Sequence, residues 1–211
     1  MLESHLPYRT LRDAIEERQH DYLDTLKIVD DCYYEQPQII DGLPPEWRQN
    51  LYCAHTIPAV ARTAAELEYC VRYWDRRDAF SPTPHVSRLF KYGSNLIAGV
   101  TLAIRMDYRR IVLCGVDLAD QAYFFQDAEL FPRFSGLEFV PRSEPHATAR
   151  RLPFLVPVDE VLLVLKREIM EPRGIELCVE NRSSALWPRI PEAPESLYDV
   201  AAPAAAPRSQ G

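Results

Sequence analysis

The chain has 211 residues, of which 47% are hydrophobic and 26% charged, so it carries enough apolar side chains for a core and is not disordered throughout. Its 31 acidic residues outnumber 24 lysines and arginines and give a net charge of −7, which argues against a general nucleic-acid binder. No apolar run approaches the roughly 18 residues of a membrane span, and the polar N-terminus is no secretory signal. Five widely spaced cysteines without a C-x-x-C pair predict reduced thiols and a cytoplasmic protein.

The first half of the chain predicts two helices and one strand. Apolar residues at helical spacing predict helices over 7–20 and 59–74. Between them, Leu26, Ile28 and Val29 predict a short strand. The segments 36–58 and 76–88 are rich in prolines and other breakers, so both are predicted to be loops.

The second half predicts two helix–strand pairs. A helix begins after an N-cap at Ser94 or Asn95, contains small residues suited to close packing on a sheet, and leads into a strand over 110–118 that is buried on both faces. A helix over 158–170 then leads into a strand over 174–181. Helix and strand joined by a short link form half of a Rossmann-type unit. The sequence therefore predicts an α/β fold that is three-layered and Rossmann-like, with a mostly parallel sheet.

Domain organisation follows from composition. We expect one α/β domain over 1–187. The last segment, 188–211, is rich in proline and alanine and has no apolar periodicity, so it is predicted to be a disordered tail.

Ligands of open parallel sheets bind beyond the carboxyl ends of the strands. This rule points to Asp117, which ends the first predicted strand, and to the segment 180–184 after the second, where Asn181 and Ser183 are the candidate ligand-binding side chains. The segment 119–157 is a further candidate for function, because loops of nearly forty residues in a compact domain are often lids or active-site loops. It contains Tyr123 and His146.

Each candidate residue has a functional and a structural interpretation. His146 could take a proton from an attacking hydroxyl or be a solvated loop histidine. Tyr123 could hydrogen-bond a leaving phosphate or cover the core. Ser94 and Asn95 could cradle an anion or simply cap their helix. Asp117 could bind a ligand or stabilise a turn. The sequence has no metal-ligand spacing, no Walker loop and no G-x-G-x-x-G, so neither a metal nor a cofactor is predicted.

In order along the chain, Lys91-Tyr92-Gly93-Ser94-Asn95, the helix LIAGVTLAIRMDYRR and the strand IVLCGVDL resemble bacterial lipooligosaccharide sialyltransferases, glycosyltransferase family 42. The resemblance implies inverting, metal-independent transfer of sialic acid, or a related keto-sugar, from a CMP-sugar to a glycan hydroxyl. It also implies site roles for residues at matching positions. His146 would be the general base, Tyr123 would hold the departing phosphate, and Lys91 and Ser94 would contact the donor.

The sequence departs from that family at its beginning, where the family has a strand and a nucleotide-binding G-N-G-P-S turn. We therefore expect a fold that is incomplete at its N-terminal, nucleotide-binding side. Three interpretations stay open: a truncated product or fragment, a chain whose partner supplies the missing strands, or a relative without transfer activity. The alternative function is a non-catalytic binding or assembly module. A homo-oligomer and a peripheral contact with the inner face of the membrane also stay open.

Overall fold

A computed structural model describes residues 27–30, 45, 51–116, 118 and 155–197. The chain divides into two compact units, one of Met1–Pro58 with Pro84–Phe90 and the other of Ala59–Thr83 with Lys91–Gly211. The single domain over 1–187 stays a prediction. The predicted helix over 7–20 lies outside the described residues.

The first unit contains three short parallel strands, β1 (Lys27–Asp30), β2 (Leu51–Thr56) and β3 (Arg88–Leu89), in the order β1-β2-β3. Strand β1 confirms the strand predicted around Ile28. The prediction of a loop over 36–58 is wrong at residues 51–56, which form β2. Tyrosine and threonine favour extended backbone, and β2 pairs with β1 on one side and with β3 on the other.

The second unit begins with helix α1 (Ala64–Asp75). Thr63 caps it, since its hydroxyl accepts a hydrogen bond from the amide of Glu66 at 3.2 Å. The predicted helix began at residue 59, but Val60 precedes the cap and is 78% exposed. The apolar spacing is confirmed further along, where Leu67 and Val71 are fully buried.

Helix α2 (Asn95–Arg105) confirms the predicted cap, because the Ser94 hydroxyl accepts a hydrogen bond from the Leu96 amide at 3.2 Å. Its buried face is formed by bulky residues such as Ile97 and Ile104. The prediction that small residues pack this helix closely on a sheet is wrong at Gly99. That glycine is exposed, and a side chain added there would meet nothing within 4 Å.

Strand β4 (Arg110–Leu113) follows α2, and helix α3 (Val158–Leu165) precedes strand β5 (Glu176–Val179). A π-helical turn, Lys166–Met170, and a 3-10 turn, Glu171–Arg173, extend α3. The second predicted helix–strand pair is thus confirmed.

Strands β4 and β5 pair in parallel, with Arg110 opposite Glu176 and Leu113 opposite Val179. Strand β4 ends earlier than predicted, and Gly115 beyond it has a φ of +64°. The prediction that this strand is buried on both faces is wrong. Ile111 and Leu113 are buried, but Val112 between them, on the other face, is only partly buried.

The described residues therefore combine helices with few, short, parallel strands. A three-layer Rossmann-like arrangement stays a prediction. In the described part of the chain, no helix combines the length and the apolar character required to cross a bilayer.

The segment after β5 differs from the disordered tail predicted over 188–211. The Val179 amide donates to the Pro191 carbonyl at 2.9 Å, and the Ala193 amide donates back to the Val179 carbonyl at 2.8 Å. Ile190 is fully buried. Residues 190–193 therefore belong to the folded part of the chain, because they supply both buried apolar side chains and strand-like pairing with β5. Residues 198–211 lie outside the described ones.

Candidate functional site

A small pocket lies at the carboxyl ends of β4 and β5, and its volume is about 90 Å³. The described residues that line it are Leu113, Gly115, Val116, Glu180, Asn181, Ser183 and Ser184. Two of the predicted binding residues, Asn181 and Ser183, therefore lie together at the strand ends to which the topological rule pointed.

Two hydrogen bonds join the segments that follow the two strands. The Gly115 amide donates to the Glu180 carboxylate at 3.2 Å, and the Ser184 hydroxyl donates to the Val116 carbonyl at 2.6 Å. Ser184 is 7% exposed, and its hydroxyl also accepts from the Leu186 amide at 3.3 Å. These bonds fix the two walls of the pocket against each other.

The polar side chains of the pocket suit a ligand rich in hydroxyl groups. The Asn181 side-chain carbonyl accepts from the Ser183 amide at 3.0 Å and from the Ser183 hydroxyl. This turn leaves the Asn181 amide group as a donor, and the Glu180 carboxylate is an acceptor. Both residues are exposed. Hydroxyl groups donate and accept, so they can satisfy both partners.

Glu180 is the only charged residue in the described lining. The adjacent Arg182 pairs with Glu192 at 2.7 Å, and its guanidinium carbon lies 5.8 Å from the centre of the Trp187 ring. Among the described residues, Arg182 thus already has a carboxylate partner. The only charge in the described lining is negative, which favours a neutral group over a phosphate or carboxylate there.

Three other predicted binding residues, Lys91, Ser94 and Asn95, are not among the described residues that line this pocket. Lys91 and Ser94 are 8% and 7% exposed, Ser94 caps α2, and Asn95 is exposed in the first turn of that helix. Three further candidates, Asp117 and the predicted catalytic residues Tyr123 and His146, lie outside the described residues.

Tyr92, to which the sequence analysis gave no role, anchors the turn before α2. Its hydroxyl donates to the Ala61 carbonyl at 2.6 Å and accepts from the Val156 amide at 3.2 Å. Burial raises the pKa of this hydroxyl above its ordinary value. Tyr92 itself has a φ of +38°, an uncommon conformation for a side-chain-bearing residue, and Gly93 follows at +75°. The buried hydroxyl holds the turn in this conformation.

Glu180 begins the segment 180–184 to which the sequence points, but the sequence singles out Asn181 and Ser183 there. The position of Glu180 directly after β5 is the available signal. Among the described residues there is no cluster of three histidine, cysteine, aspartate or glutamate side chains able to hold a metal.

Comparisons with protein-family models, with curated proteins and with solved structures find no match for this chain. The resemblance to sialyltransferases therefore depends on the sequence motifs alone.

Proposed function

We propose that the chain is a glycosyltransferase of sialyltransferase type, which transfers sialic acid or a related keto-sugar from a CMP-sugar to a glycan hydroxyl. The observation that supports this proposal is the pocket at the carboxyl ends of β4 and β5, with Asn181 and Ser183 opposite Gly115. Open parallel sheets bind their ligands, dinucleotides among them, at this end.

In the proposed reaction, the acceptor oxygen attacks the anomeric carbon of the donor sugar while the bond from that carbon to the phosphate oxygen breaks. His146 takes the proton of the acceptor hydroxyl, and Tyr123 stabilises the charge that develops on the departing CMP. Lys91 and Ser94 contact the donor. The Ser94 hydroxyl accepts from the Leu96 amide and can still donate its own proton to a ligand.

A second candidate function, a non-catalytic binding or assembly module, is favoured by the size of the pocket. Its volume of about 90 Å³ is well below the roughly 300–1,000 Å³ of typical small-molecule sites. Such a module would act through a second copy of itself or through another chain that completes the sheet.

Ligand binding separates the two candidates. We expect CMP to raise the melting temperature of the wild-type protein, since a ligand at 100 times its Kd adds about 2.7 kcal/mol of stability. The double variant Asn181→Ala/Ser183→Ala should lose this shift. The control Ser196→Ala, an exposed serine in the 3-10 turn Glu195–Leu197, should keep it. No shift with millimolar CMP, together with a stable dimer in ultracentrifugation, would favour the assembly module.

The catalytic part of the proposal is tested by turnover of CMP-sialic acid. The variant His146→Ala should lose turnover, whereas His85→Ala, at an exposed histidine outside the pocket, should keep it. Unchanged turnover in the first variant would remove His146 as the base.

A further inference from the structure

We propose that Glu180 determines ligand specificity by binding the vicinal hydroxyls of a sugar ring. The pocket at the ends of β4 and β5 then takes the diol edge of a ribose or hexose, and the phosphate and carboxylate of the same ligand lie outside it. This inference deepens the proposed function and depends on it for the location of the ligand.

The backbone of Glu180 is fixed by the sheet. Its amide donates to the Leu113 carbonyl at 3.1 Å, which continues the pairing of β4 and β5 by one residue. Its side chain then reaches Gly115, whose amide donates to Oε2 at 3.2 Å. This amide orients the carboxylate and uses one oxygen. The other, Oε1, has no hydrogen-bond partner within the described ranges and can accept from a ligand.

The neighbouring groups complement a diol. Because the Asn181 carbonyl is occupied by Ser183, the amide group of Asn181 is left to donate. A vicinal diol presents two hydroxyl protons and several lone pairs on one edge. It can donate to the Glu180 carboxylate and accept from the Asn181 amide at the same time. Hydrogen bonds to a carboxylate are stronger than those between neutral groups.

Size and charge both limit what else can enter. A volume of about 90 Å³ is well below the roughly 300–1,000 Å³ of typical small-molecule sites. It accommodates one edge of a ring rather than a whole nucleotide. A phosphate would face the Glu180 carboxylate, while Arg182 is engaged by Glu192. Like charges repel, so the described lining favours a neutral edge of the ligand over its phosphate.

The test compares ligands with and without the diol. Binding of cytidine, dideoxycytidine and methyl galactoside is measured by calorimetric titration of the wild-type protein, of Glu180→Gln and of the control Glu195→Gln. Glu195 is an exposed glutamate in the 3-10 turn Glu195–Leu197. We expect the wild type and the control to bind cytidine or methyl galactoside at least about tenfold more tightly than dideoxycytidine. Which of the two binds identifies the ribose or the hexose as the source of the diol. Glu180→Gln should lose most of that preference; its amide oxygen can still accept from Gly115, so the fold is expected to persist.

Several results would overturn the inference: equal affinities for cytidine and dideoxycytidine without binding of the galactoside, no binding of any diol, an unchanged preference in Glu180→Gln, or competition by inorganic phosphate. The proposed function has separate readouts. If CMP binds and CMP-sialic acid turns over but Glu180→Gln keeps the diol preference, only the inference about Glu180 fails. If the diol preference depends on Glu180 but no CMP-sugar turns over, the transferase proposal fails and the diol site stands.

Discussion

Four charged side chains form a closed network between α1 and the π-helical turn after α3. Glu168 accepts hydrogen bonds from Arg72 at 2.6 Å and from Arg167 at 2.7 Å, and both arginines also pair with Glu68 at 2.6 Å. The Glu168 side chain is only 10% exposed. The guanidinium of Arg72, and then that of Arg167, holds the pKa of Glu168 below its ordinary value of 4.5.

Replacing Glu168 by glutamine removes the charge and preserves the shape of the side chain. Two charge-assisted hydrogen bonds in a dry interior would contribute more, but the side chains of Arg72 and Arg167 are 57% and 54% exposed. With that solvent screening, we expect Glu168→Gln to lower the free energy of unfolding by about 1–2 kcal/mol at neutral pH. For a chain of this size the melting temperature should fall by about 2–8 °C.

The pH dependence gives the sharper test. Because the folded-state pKa of Glu168 lies below its unfolded value, its contribution is fully present above the ordinary value of 4.5 and disappears as the pH falls through the folded-state pKa. The difference between wild type and Glu168→Gln should therefore be largest at neutral pH and shrink in acid.

The measurement is thermal unfolding followed by circular dichroism over a pH series, with Glu195→Gln as the control. Glu195 is exposed and takes part in none of the ion pairs of the described residues. The control should unfold like the wild type throughout. Equal melting temperatures for Glu168→Gln and wild type at neutral pH, or a difference that grows in acid, would refute the reasoning.

Three further substitutions test the packing around the pocket and the core. Ser184→Ala should cost about 1–3 kcal/mol in urea unfolding, because it leaves the Val116 carbonyl without its donor, while Ser196→Ala should cost almost nothing. Tyr92→Phe removes a buried hydroxyl with two backbone partners and should cost a similar amount; a neutral effect would contradict its anchoring role. Ile190→Ala should cost about 2–5 kcal/mol if the segment after β5 belongs to the core, whereas a disordered tail would tolerate the change.

Local signals in the sequence predicted the elements whose cause is local. The Ser94 cap and the helix over 158–170 depend on residues within one or two turns, and both are confirmed. Strand β2 was missed for the opposite reason. Its six residues carry no alternating pattern strong enough to outweigh the prolines around them, and β1 and β3, which stabilise it, lie far away in the sequence.

The candidate site shows the same division between location and chemistry. Topology alone located the pocket, since parallel strands place their carboxyl ends together. The role of Glu180 depends instead on register. Because Leu113 lies opposite Val179, the next residue, Glu180, extends the ladder by one step just where Gly115 turns its amide across the gap. A slip of one residue would place a side chain of opposite orientation there and remove the carboxylate from the pocket. The interaction that defines the proposed specificity is therefore a consequence of strand pairing. It also depends on the φ of +64° at Gly115, a conformation that costs a residue with a side chain about 1–2 kcal/mol.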